Sequence, residues 1–149
     1  MIDQLAAFPN TLQAALAAAG TRLRVRASDG RFAMVEHLCH LGDLEREGYG
    51  ARIEQLLSEE APEWDDFDGE AVARERNYLE QDSESALQRF VDARATNVAR
   101  LRAVSDGDWQ RHGTHRGMGE VTLARLAEMM VQHDREHAAD IAALLEELR

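Results

Sequence analysis

The sequence predicts an all-α fold, a four-helix bundle, and three observations carry the prediction. Apolar residues recur every three or four positions in four separate stretches, the period of a helix with one buried face. Two prolines in 149 residues, with few aromatic or β-branched residues, leave little from which strands could be built, so no sheet of three or more strands is expected. No repeat or low-complexity tract competes with a single domain over residues 1–149.

The first helix covers roughly residues 3 to 19, with Leu5, Phe8, Leu12, Leu16 and Ala19 on one face and Gly20 at its end. Pro9 falls inside that stripe and offers no amide proton to the preceding turn, so a kink or restart is expected there. RVRASDGR then reads as a loop turning at Gly30. The second helix runs from about Phe32 to Leu57 on a face of Met34, Val35, Leu38, Leu41, Ile53 and Leu56, weakened locally by Gly42, Gly48 and Gly50. The acidic connection SEEAPEWDDFDGEAVARERNYLEQDSE is too long for a tight antiparallel turn and is expected to cross over the bundle, with room for a short helical piece. Ser83 reads as the cap of a third helix ending near Val104, where Arg94 and Asn97 interrupt a seam of Leu87, Phe90, Val98 and Leu101. SDGDWQRHGTHRGMGE reads as a loop, and the fourth helix spans about Glu120 to Leu148.

Charge and composition exclude several classes. A formal net charge of -11 argues against nucleic acid, because binding phosphates needs clustered cations. The Ala-rich run LQAALAAAG is far too short for a membrane span, and no basic segment precedes an apolar one at the N-terminus, so neither a membrane anchor nor a secretory signal is expected. Cys39 is the single cysteine, which rules out an internal disulfide and makes a reducing cytoplasm the default location.

The fourth helix raises the chemical question. Leu126, Met130, His133, His137, Ile141, Leu144 and Leu148 trace one stripe, so both histidines sit in the core seam and not on the surface. Two imidazoles at i and i+4 project from adjacent turns of one face and can share a cation. Histidines satisfied by carboxylates in a core are the plainer alternative. A metal needs at least a third ligand, and the second helix offers His37 and His40 in EHLCH. Periodicity puts His37 nearer the apolar face and His40 at the polar edge. HDREH also resembles the zincin helix, with Asp134 at the general-base position, but no third ligand follows downstream, which argues against a peptidase.

FAMVEHLCHLGDLE, Arg94 in the third helix, and DWQRHGTHRGMGEVTLARLAEMMVQHDREH together resemble the DinB-like superfamily. The matching features are Phe32 eight residues before His40 and Leu41, Trp109 in a loop, Gly119 through Leu123 opening a helix, and His133 to His137 at its core. The family's usual Trp is Phe32 here. The resemblance implies an up-down-down-up bundle in which His40, His133 and His137 bind one divalent metal, with His37 as the fallback ligand or as a hydrogen-bond partner of one. Zn²⁺ or Ni²⁺ is the expected ion, with Fe²⁺ or Mn²⁺ as further candidates. It also implies a metal-dependent enzyme, a thiol-dependent S-transferase or isomerase that joins a low-molecular-weight thiol to a small-molecule electrophile. The alternative is a non-catalytic metal-binding or stress-associated bundle. Relatives are often dimers, so a homodimer is the expected assembly.

The remaining candidates are weaker. His115, on the loop before the fourth helix, is a candidate acid–base group or substrate contact lining the cleft, with a solvated loop histidine as the even alternative, and His112 reads as exposed. Arg94 reads as an interior salt bridge ahead of the alternative, a group that orients an anionic substrate or a ligand-supporting carboxylate. Asp134 and Glu136 lie off the histidine stripe, which favours supporting or surface roles over catalysis, and Cys39 reads as a small buried hydrophobe. Trp64 and Trp109 can pack the bundle ends as readily as line a pocket.

Overall fold

The computed structural model describes residues 1–149. Four helical rods form the body: α1 (Ile2–Ala19), a second rod built from α2 (Met34–Asp43), a π-helical stretch (Leu44–Gly50) and α3 (Ala51–Ser58), then α5 (Ser83–Ala103) and α6 (Leu123–Glu147). The crossover between the second rod and α5 carries β1 (Glu63–Trp64), α4 (Gly69–Glu75) and a 3₁₀ turn (Tyr78–Glu80). A further 3₁₀ turn (Asp106–Gln110), β2 (His112–His115) and β3 (Gly119–Thr122) precede α6. No helix is long and apolar enough to cross a membrane.

Contacts fix the directions of the rods. Gly42 lies against Ala86 and Phe90, and Glu45 meets Arg94 and Asn97, so the second rod and α5 run parallel. Phe8 packs on Phe90 while Asp3 pairs with Arg102, so α1 opposes α5. His37 meets His137 and His40 meets His133, so the second rod opposes α6. The order is up-down-down-up, and the parallel central pair is why the connection between them must be long.

Pro9 does not break α1. Its missing amide leaves the Leu5 carbonyl without the usual partner one turn on, and Arg94 Nη1 donates to that oxygen at 3.0 Å. A tertiary contact replaces the lost local one.

Three further expectations need correction. A sheet does form: β1 pairs parallel with β2, and β2 pairs antiparallel with β3, a small three-stranded platform at one end of the bundle. Its apolar pins are Trp64 and Val121, both buried, and Gly119 makes the turn at φ 92°. The fourth helix therefore starts at Leu123, where the Thr122 hydroxyl accepts from the Arg125 amide at 3.1 Å, while Glu120 and Val121 lie in β3. The cap of α5 is Asp82, whose carboxylate accepts from the Ser85 amide at 2.9 Å, and Ser83 is the first helical residue. The second rod spans nearly the expected range, but its weak glycine stretch is π-helical.

The apolar core is in two parts. One gathers Phe8, Leu12, Leu38, Phe90, Ile141 and Leu144, and the other Leu5, Ile53, Leu56, Leu101, Leu126 and Met130. Between them lies a polar layer whose side chains come from the second rod, α5 and α6, and the candidate site belongs to it.

Candidate metal centre and cleft

His40, His133 and His137 each place one ring nitrogen within 4.8 Å of the others. α2 delivers His40 and α6 delivers the i, i+4 pair from the opposite direction. The rings of His133 and His137 lie 4.4 Å apart between centroids, and those of His40 and His137 lie 4.9 Å apart. Every residue of α2 is buried, His40 and His37 included, so the polar edge that a helical wheel assigns to His40 is covered by the crossover. Gly69 at the start of α4 does the covering, with its bare backbone against the His40 imidazole. His40 Nδ1 is the one fully buried side-chain polar atom without a hydrogen-bond partner.

Burial, reinforced by neighbouring imidazoles, depresses all of these histidines from the ordinary value of 6.5. His40 and His137 fall to about 4 and His133 to about 3. At neutral pH they are therefore uncharged, which is the state in which an imidazole offers a lone pair. Three neutral imidazoles, each with one ring nitrogen within 4.8 Å of the others, are a donor set suited to a borderline divalent ion.

His37 stands one turn before His40 and outside that trio. Its Nδ1 lies 3.0 Å from Nδ1 of His137, with the rings nearly perpendicular, and the edge of Phe32 packs beside it. His37, His40 and His137 line a cleft of about 890 Å³, whose walls carry Phe32, Arg31 and Arg74. That is within the range of small-molecule pockets. At its rim Glu36 takes a two-pronged ion pair from Arg26 at 2.8 and 2.9 Å, which with the Ala33 amide outweighs burial and keeps its carboxyl below the ordinary range.

Behind the histidines Arg94 is wholly buried and doubly bidentate. It donates to Glu45 at 2.8 and 3.0 Å and to Asp134 at 2.7 and 2.9 Å. Asn97 adds bonds to the Glu45 carbonyl and carboxylate. Burial pulls the Arg94 guanidinium down, but its two carboxylates overcome this and hold it above its ordinary value. Asp134 thus points into the polar layer, off the histidine stripe and away from water, whereas Glu136 is exposed.

His115 does not line the cleft, contrary to the sequence expectation. It is buried in β2, where the Gly117 amide donates to its Nδ1 at 3.0 Å and Nε2 faces Asp66 at 3.4 Å. One nitrogen is spent on the hairpin turn and the other faces the crossover. His112 is exposed, Trp64 is buried in β1 and Trp109 is half-buried in the second core. Cys39 is buried, and burial pushes its thiol up to about 11.

Sequence reasoning passed over Gly69, Phe67, whose ring lies 6.4 Å from that of His40, and Tyr49, whose ring lies edge-on to His133 at 5.9 Å. The first two come from the crossover, which carries no periodic signal. Tyr49 lies in the π-helical stretch, where a 3.6-residue wheel assigns the wrong face. Asp68 was the one available cue, since its carboxylate caps α4 by accepting from the Ala71 amide at 3.0 Å and so fixes where Gly69 falls.

Residues 4–141 match the sequence model of the DinB superfamily. The chain belongs to the DinB superfamily. Among solved structures it is similar to YfiT from Bacillus subtilis, described as a probable metal-dependent hydrolase with an unusual four-helix bundle topology. The TM-score is 0.89 at 23% sequence identity, covering 99% of this chain and 85% of that one. This DinB-superfamily bundle therefore shares the fold of YfiT. No curated protein sequence matches the chain.

Proposed function

We propose that this DinB-superfamily protein is a divalent-metal-dependent enzyme, with Zn²⁺ or Ni²⁺ held by His40, His133 and His137, that joins a low-molecular-weight thiol to a small electrophile. The observation that carries the reading is the convergence of three neutral imidazoles beside a cleft of small-molecule size, with His40 Nδ1 buried and unpartnered. When bound, an ion with an open position lowers the pKa of the thiol or water it takes up. The chain's own residues do the rest. The polar layer holds the α6 histidines in place, the cleft walls orient the second reactant, and the buried, protonated Cys39 is unsuited to act as nucleophile. An external thiol supplies that nucleophile. Water in its place would make the protein a hydrolase, as YfiT is described, and the same experiment separates the two.

The test uses protein purified without a histidine tag, its metal content measured, then loaded with zinc or nickel and offered thiols with electrophiles. One metal per chain and metal-dependent thiol consumption are expected, with Cys39→Ala as active as the parent. Ester or amide hydrolysis without thiol consumption would replace the transferase reading. Absence of stoichiometric metal would end both.

Gly69→Ala probes the same centre from the crossover. The added methyl would fall 2.6 Å from His40 Cε1 and 2.8 Å from Nδ1, so close that the ring must shift from its position. A loss of about tenfold or more in metal affinity is expected, in line with other disturbances of ligand support, with the thermal midpoint of the metal-free protein little changed. Competition against a chromophoric chelator measures it, and parental affinity would show that the ring moves aside at no cost.

A further inference from the structure

We propose that His37 is a positioning residue for His137: it accepts the Nδ1 proton of His137 and in turn presents its own Nε2–H to the cleft. The inference rests on the reading of His137 as a metal ligand and adds a role for a histidine outside the ligand trio.

Geometry supplies the first part. The two Nδ1 atoms are 3.0 Å apart, and the ring planes cross at 86°. Two neutral imidazoles in such a contact share a single proton: one Nδ1 donates and the other accepts. A lone pair at Nε2 of His137 requires its proton at Nδ1. The bond then runs from His137 Nδ1–H to His37 Nδ1, the arrangement by which an outer partner commonly fixes a ligand's tautomer and ring orientation. Usually that acceptor is a carboxylate or a carbonyl. Here it is another imidazole, held by the edge of Phe32 at 5.6 Å between centroids.

The second part follows from proton bookkeeping. A neutral His37 that accepts at Nδ1 carries its hydrogen on Nε2. That nitrogen has no partner in the protein, yet it is not among the sealed, unpartnered atoms, and His37 lines the cleft. His37 Nε2–H is therefore a donor offered to whatever lies there, suited to an acceptor such as a carbonyl, carboxylate or thiolate. One proton position on α6 thus dictates the polarity of a cleft contact on α2.

Zinc-loaded protein with ¹⁵N-labelled histidine tests this directly. Long-range nitrogen–proton spectra should show His137 as the Nδ1–H tautomer and His37 as the Nε2–H tautomer, and the reverse pair would overturn the proposal. Two variants add a readout that simple packing would not move. His37→Phe keeps the bulk and removes the acceptor, so zinc affinity should fall about 10–100-fold with one site per chain retained. His37→Asn restores an acceptor near the Nδ1 position and should stay within a few-fold of the parent. Equal affinity in His37→Phe and the parent would sink the positioning role. Loss of stoichiometric zinc in both variants would make His37 a direct ligand instead. Zinc retained in full by His137→Ala would place the fault in the metal-site reading itself. Should His37→Phe fail to fold, the tautomers of the parent and the Asn variant still decide the matter.

Discussion

Arg94→Ala is expected to cost about 3–5 kcal/mol of folding free energy, the largest loss of any single substitution considered for this chain. The side chain is as buried as any in the molecule and holds two buried carboxylates, Glu45 and Asp134, with paired hydrogen bonds. Removing it leaves two like charges in a dry layer, and it also strips the Leu5 carbonyl of the donor that compensates for Pro9. Uncompensated charge, and not the lost pair itself, is the source of the penalty. Replacing Arg94, Glu45 and Asp134 together with Met and Leu should therefore recover most of the loss. Urea unfolding of the metal-free proteins measures both effects. A single-mutant loss below about 1 kcal/mol would mean that water reaches the layer and solvates the carboxylates.

Acid should unfold the metal-free protein well above the range in which ordinary carboxylates titrate. His37, His40 and His137 titrate near 4 and His133 near 3 in the folded chain, against 6.5 when free. Burial is the main cause and mutual repulsion of the rings the next. Because the folded values are the lower ones, the unfolded chain binds more protons, and stability rises with pH. It is complete above about 6.5 and is lost as pH falls toward 4. One such histidine accounts for roughly 3 kcal/mol at the acid end, although the four are coupled and their contributions do not simply add. Asp134 works against the trend, since burial lifts its carboxyl to about 6 and the folded state takes up its proton first. Four groups outweigh one. Thermal midpoints between pH 8 and 4 should be flat and then fall below 6.5, and zinc should move the fall to lower pH by keeping its ligands deprotonated. A midpoint unchanged down to pH 4.5 would show that the histidine layer is already wet.

The bundle was legible because its signals are local and repeated. The α6 stripe from Leu126 to Leu148 reads directly as a seam, and His133 and His137 lie on it half-buried, facing His40. The two short β-segments around Gly113 and Val121 were invisible for the opposite reason. Each is four residues long, and the sheet is completed by Glu63 and Trp64, which pair with β2 from a distant part of the chain. His40 shows the limit of a helical wheel. The wheel scores a residue against its own helix, whereas His40 is buried by Gly69 from the crossover. His115 shows a related limit: a histidine on a loop reads as available, and only the fold reveals that its Nδ1 takes the Gly117 amide while Nε2 faces Asp66 of the crossover.

The π-helical stretch from Leu44 to Gly50 gives the second rod a mechanical property that a plain α-helix lacks. Such a stretch takes in about one residue more per turn, and one residue corresponds to about 100° of rotation. The rod is thus two screws joined out of phase. Above the joint, α2 is buried on every side and turns its histidines to the cleft. Below it, α3 buries only Arg52, Ile53 and Leu56 and keeps its own heading. The joint is held by Asn97, clamped on the Glu45 carbonyl beside Gly50, where an added methyl would collide with that same oxygen. The angular setting of the histidines is thereby offset from that of the lower core, so the two ends of one rod present different faces to the bundle.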